Sequence, residues 1–282
     1  MVGDHAHIDQ QHLHEHHHYS ATQYPQHLTA KLPSISPEKI IGRHDDLEDL
    51  HRRPFDNKQV VLVNGLGGIG KTALSQAYVG KYLEEYRHAA WFSLVTDDIP
   101  SDILNTEAVL DNLSINAEGK DAGTIFIEIL TRLKQINEKP CLLIFDNADA
   151  SLAEWYDYLP HQPKWHILVT SRERIENFDL KDLDSLSEDD AITLFLTHYR
   201  RGNLDREQIR DLVRDVELHT LTIEILAKTA QLQRTGPHEL MRAIKNDLKA
   251  NVYVRHKGDK IDSVTSYLCT IFSLSKLDKA EL

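Results

Sequence analysis

Residues 65–72 read Gly65-Leu66-Gly67-Gly68-Ile69-Gly70-Lys71-Thr72, the spacing G-x-x-x-x-G-K-[ST], in which each residue type answers a demand of phosphate chemistry. Glycines let the backbone wrap an anion with its N–H groups turned inward, and a following helix adds partial positive charge. Lys71 supplies a cation for β- and γ-phosphates, and Thr72 offers a hydroxyl to magnesium. A plain glycine-rich turn explains the glycines but not the Lys-Thr pair. Gly65, Gly67, Gly68, Ile69, Gly70, Lys71, Thr72 and Ala73 are therefore the expected phosphate-side contacts.

Two further stretches carry chemistry. Leu142-Leu143-Ile144-Phe145-Asp146 is an apolar run ending in a carboxylate, and downstream of such a loop Asp146 is the natural second magnesium ligand beside Thr72. The next residue is Asn147, whose amide cannot take a proton from an attacking water as a carboxylate can, and Asp149 either substitutes for it or caps the next helix. Val169-Thr170-Ser171-Arg172 ends another apolar run in two hydroxyls and an arginine. A guanidinium at Arg172 would gain charge-assisted bonds from a triphosphate that a diphosphate cannot supply; the competing reading is a surface arginine beside Glu173. Lys71, Asp146 and Arg172 are the candidate catalytic residues.

These residues need a scaffold that brings them to one edge. β-branched and apolar residues over 58–64 predict a strand buried on both faces, followed by the glycine loop and a helix over 72–86. Further strands are expected at 88–94, 141–145 and 166–170, with a helix at 125–136, an alternation that predicts a doubly wound parallel sheet. After Leu186 the strand pattern stops. Ser187-Glu188-Asp189-Asp190 has the form of a capping box, and helices are expected to follow it and to cover 206–217 and 221–232. A helix-like stretch from Ile261 through Val264, Leu268, Ile271 and Phe272 looks cut off at Leu282.

The chain has 282 residues, 41% of them hydrophobic, enough to bury a substantial core. Its 32 Lys and Arg against 44 Asp and Glu give a formal charge of -12, which disfavours direct nucleic acid binding. Cys141 and Cys269 are too few for a disulfide framework, and no segment approaches the roughly 20 apolar residues of a membrane span, so a cytoplasmic setting is expected. Residues 1–36 read as a disordered His-rich tail and linker. His5, His7, His12, His14, His16, His17, His18 and His27 could chelate zinc or nickel but lack the fixed spacing of a metal site.

Taken together, Ile40-Ile41-Gly42-Arg43, the 65–72 loop, LLIFD, VTSR and a helical segment opening LSEDDAITLF resemble the NB-ARC class of STAND ATPases, in a bacterial-type and truncated form. That class includes apoptosome scaffolds, plant resistance proteins and bacterial signalling and defence proteins. The resemblance, which covers 33–282, implies an α/β P-loop NTPase domain at 37–186, a small helical domain at 187–258 and the start of a winged-helix domain at 259–282. It implies ATP or ADP with Mg2+ as ligand, Ile41 and Arg43 on the adenine side, and Arg172 as sensor of the γ-phosphate. It also implies a signalling switch with nucleotide-dependent homo-oligomerisation in the full-length protein. Two departures stand out: Thr220, in Leu218-His219-Thr220-Leu221, occupies the position of a family proline that touches the nucleotide, and Asn147 replaces an acid. Slow hydrolysis of ATP therefore stays open, and a non-hydrolysing scaffold or a nucleotide-dependent transcription regulator are the alternatives. A metabolic kinase is disfavoured, because no arginine-rich lid segment is evident.

Overall fold

The structure, a computed structural model, describes residues 24–57, 60–160, 163–200, 205–234, 253–256 and 259–263. Four apolar strands, β1 (Val61–Asn64), β2 (His88–Ser93), β3 (Cys141–Ala148) and β4 (Trp165–Ser171), and a polar one, β5 (Asp179–Asp182), form a sheet in the order β2-β3-β4-β1-β5. Every pairing in it is parallel.

Because side chains alternate across a strand, a buried parallel sheet needs apolar residues at odd and even positions alike. Val61, Val63, Trp91, Leu142, Ile144 and Leu168 pack on one face against α1 (His44–Asn57) and α2 (Lys71–Tyr82). Leu62, Phe92, Leu143, Phe145, Ile167 and Val169 pack on the other against α3 (Ile99–Leu104), α4 (Val109–Asn112) and α5 (Ala122–Gln135). A third core holds α6 (Glu188–His198), α7 (Arg206–Asp215) and α8 (Thr220–Gln233) together through Ile192, Phe195, Leu212 and Leu226. The predicted cap forms: Ser187 Oγ accepts from the backbone N–H of Asp190 at 3.2 Å.

Three differences from the sequence expectations have physical causes. Residues 24–36, expected to be tail and linker, are packed: Leu28 is 0% exposed, and residues 26–28 run along β2, with Leu28 N–H on the Ala89 carbonyl at 2.8 Å and Ala89 N–H on Gln26 at 2.7 Å. The free edge of β2 supplies those bonds, which composition does not reveal. The strand β5, with only Leu180 apolar, forms on the open edge of β1 and buries Lys181 by pairing it with Asp46 at 2.8 Å and Asp49 at 3.3 Å on α1. Strands also do not stop at Leu186, since an antiparallel ribbon joins β6 (Tyr253–His256) to β7 (Asp259–Ser263). Ile261 lies in β7 and not at the start of a helix. Residues 1–23, with all but His27 of the histidines in the expected tail, and residues 264–282, with the rest of the expected winged-helix segment, lie outside the described residues.

Candidate nucleotide site

The sheet brings the carboxyl ends of β1, β3 and β4 side by side, with Asn64 opposite Ser171 and Phe145 opposite Val169. Ligands of open α/β sheets sit outside such an edge. The 65–72 loop leaves β1 there and enters α2 at Lys71, with Gly70 left-handed at φ 112° as the residue before the helix. Lys71 is only 8% exposed, and its Nζ donates to the loop's own carbonyls at Gly65 (2.7 Å) and Leu66 (2.9 Å). Burial, reinforced by the nearby charge of Arg172 and opposed by Asp146, brings its pKa down to about 8. An ammonium group so held is short of negative charge, which a phosphate would supply.

Asp146 closes the other side. One oxygen, Oδ1, accepts from the hydroxyls of Thr72 at 2.8 Å and Thr170 at 2.6 Å, tying the first turn of α2 to the ends of β3 and β4. Arg172 reaches the same loop, its Cζ 3.3 Å from the position a Cβ on Gly67 would take. Glu173 is engaged elsewhere, accepting from the N–H of Ala150 at 3.0 Å. The edge thus gathers Lys71, Thr72, Asp146 and Arg172.

Asn147 and Asp149 face other tasks. Asn147 is left-handed at φ 64°, a conformation its type tolerates, and its amide donates to the Leu94 carbonyl at 2.9 Å, a bond no carboxylate could make. Asp149 caps the 3-10 turn Ala150–Tyr158 by accepting from Ser151 N–H at 2.8 Å.

The outer wall of the loop is built by residues far away in sequence. Arg43 Nη2 donates to the carbonyls of Ile69 (3.1 Å) and Asp184 (2.8 Å) while Nη1 pairs with Asp46, so its guanidinium braces the loop from behind. Ile41 packs against the core of α6–α8. From the turn into α8, His219 Nε2 meets the Gly67 carbonyl at 2.8 Å, Thr220 Oγ1 the Ile69 carbonyl at 3.1 Å, and Leu221 N–H the Gly68 carbonyl at 3.1 Å. The approach is close: Gly68 is left-handed (φ 77°), and a Cβ there would lie 2.9 Å from Leu221 Cβ. In the sequence Thr220 stands out only as a departure from the family proline, and nothing local points to His219 as a partner of the loop.

A parallel sheet with this loop at its carboxyl edge defines an α/β P-loop NTPase fold, and a Walker-type ATPase of Pyrococcus abyssi has the same fold. Its structure covers 90% of this chain, which covers 80% of it, at a TM-score of 0.52 and 14% sequence identity. Residues 43–204 match the NB-ARC domain family, and the chain belongs to that family. It is 29% identical over 154 residues to a putative disease resistance protein of Arabidopsis thaliana, a match spanning 51% of this chain and 16% of that one. Similarity also extends to the transcription activator GutR of Bacillus subtilis, 24% identical over 157 residues, 53% of this chain and 19% of that protein. A putative disease resistance RPP13-like protein of Arabidopsis thaliana is 27% identical over 196 residues, 60% of this chain and 18% of that one. The chain thus spans less than a fifth of the length of these curated relatives. Among the described residues no helix is long and apolar enough to cross a membrane.

Proposed function

We propose that this chain is the ADP/ATP-binding switch of an NB-ARC-type signal-transduction or defence protein. The observation that carries the reading is the meeting of Lys71, Thr72, Asp146 and Arg172 at one sheet edge, with α8 seated on the same loop. In this reading the inward N–H groups of 67–72 hold the phosphates, Lys71 exchanges its two carbonyl partners for phosphate oxygens, and Arg172 distinguishes the triphosphate from the diphosphate. A ligand shifts a conformational equilibrium only by its differential affinity for the two states. Lys71 and Arg172 supply that difference, and the α8 turn transmits it to the helical domain. Ile41, packed against the helical core, and Arg43, which also holds the loop, are proposed on the adenine side.

The residues present fit a magnesium ion. Thr72 Oγ1 and Asp146 Oδ1 are hard oxygen donors 2.8 Å apart, and Mg2+ in nucleotide sites takes one or two protein oxygens and completes its shell with phosphate and water. When bound, the ion neutralises phosphate charge. Slow ATP hydrolysis is part of the proposal, as are homo-oligomerisation in the full-length protein and a cytoplasmic setting. A second reading, nucleotide-dependent control of transcription, draws on the similarity to GutR.

The test is nucleotide content and affinity. Denatured protein is expected to release ADP or ATP on chromatography, and Mg-ADP and Mg-ATP are expected to bind the wild type but not Lys71→Ala. Absence of both bound nucleotide and affinity would sink the switch. Phosphate release measured on the same samples separates a slow ATPase from a scaffold without turnover.

A further inference from the structure

We propose that His219, with Thr220, is a positioning residue for the phosphate loop, so that the turn into α8 sets nucleotide affinity together with the loop's own sequence. The proposal rests on the P-loop reading above and adds to it a role for residues outside the nucleotide-binding domain.

In a trans peptide the carbonyl oxygen and the following N–H point in opposite directions. Three consecutive carbonyls of the loop, those of Gly67, Gly68 and Ile69, are bonded on its outer side, by His219 Nε2, Leu221 N–H and Thr220 Oγ1, with Arg43 Nη2 also on Ile69. Fixing these oxygens outward turns the N–H groups of Gly68, Ile69 and Gly70 to the other side; that of Ile69 lies across the loop toward the Leu66 carbonyl at 3.3 Å, a long bond. These are the donors a phosphate would use. Glycine-rich backbone has little intrinsic preference for this arrangement, so the external bonds select it.

His219 is built for the task. Its Nδ1 lies 2.9 Å from Thr222 Oγ1 and 3.4 Å from Thr222 N–H, an arrangement that makes Nδ1 the acceptor and leaves the proton on Nε2, aimed at Gly67. The ring is buried, and burial lowers its pKa and favours this neutral form. Thr220 donates a hydroxyl where proline would have no donor at all.

The test uses the full 282-residue chain, titrated calorimetrically with Mg-ADP and Mg-ATP. His219→Phe, which keeps a flat ring but loses the donor, is expected to bind about 3- to 10-fold more weakly, the equivalent of one hydrogen bond. His219→Gln, which returns an N–H at similar reach, is expected to recover most of that loss, a rescue that lost packing would not show. Thr220→Val is expected to bind about 3-fold more weakly, with a melting temperature lowered by no more than one lost hydrogen bond costs. Wild-type affinity in His219→Phe, or a His219→Gln no better than Phe, overturns the positioning role; if Lys71→Ala still abolishes binding, the P-loop reading stands without it. Failure of the wild type to bind removes both. Should His219→Phe not fold by circular dichroism, Thr220→Val decides, and wild-type affinity there overturns the proposal.

Discussion

At the scale of single residues, the site is governed by what surrounds one cation. Lys71 is held in a low-dielectric loop beside Arg172, and its pKa of about 8 means that its charge is costly there. The folded-state value lies below the ordinary lysine value, so the cost is relieved as pH rises through 8 and is carried in full below it. A polyphosphate reverses the balance by favouring the ammonium form, so binding near pH 8 must draw a proton onto Lys71. Calorimetric titrations at pH 8 in buffers of different ionisation enthalpy are expected to show uptake of a fraction of a proton. Affinity is expected to fall as pH rises from 7.5 to 9.5, and a flat profile would refute the role of this group. Asn147 teaches the complementary lesson: its amide is spent on the Leu94 carbonyl, so its side chain is a strut between β2 and β3.

At the scale of elements, close approach decides. In the interior of α2 sits Gly80, a residue that costs a helix about 1 kcal/mol relative to alanine. A Cβ there would lie 2.1 Å from the Ile35 carbonyl oxygen, where the 33–36 segment crosses the helix and Ile35 N–H bonds the Gln76 carbonyl at 3.2 Å. Gly80→Ala is therefore expected to lower stability by about 1–3 kcal/mol despite its better helix propensity. It should also expose residues 24–36 to limited proteolysis, whereas a rise in melting temperature with unchanged protease resistance would show that segment to be dispensable. The pairing of α1 with β5 follows similar logic, with Lys181 and Arg53 shared between Asp46, Asp49 and Asp179.

At the scale of the whole molecule, three apolar cores coexist, among the described residues, with a polar chain that runs from buried His166 to half-buried His51. His166 on β4, 2% exposed, meets Tyr86 Oη at 3.0 Å, Tyr86 meets Tyr78 at 2.5 Å, and Tyr78 meets His51 Nδ1 at 3.3 Å. Burial, with the charge of His51 as a lesser cause, pushes the His166 pKa down to about 4. A histidine held below its ordinary value of 6.5 gives full stability above that pH and loses it as pH falls through 4. The chain is expected to be about 2–3 kcal/mol less stable to urea at pH 4.5 than at pH 7.5 from this group alone. His166→Phe should flatten that dependence, and an unchanged slope would exclude the group as its source. Asp49, held near 2 against burial by Arg53 and Arg52, loses its contribution only below the ordinary carboxylate range, which keeps the two effects apart.

The loop at 65–72, Asp146 and the strands β1, β3 and β4 were legible in the sequence because their chemistry is local: fixed residue types at fixed spacing, and apolar runs that only a strand buried on both faces requires. Helices α6, α7 and α8 were legible for the same reason, from a cap and a period. What lay beyond the sequence depends on partners far away along the chain. β5 is a strand because β1 has an open edge and α1 has acids for Lys181, and residues 24–36 are ordered because β2 and Gly80 leave room for them. His219 touches Gly67 across 152 residues of chain. Side-chain type states what a residue can donate or accept, and only the packed backbone decides which carbonyl stands within 3 Å of it.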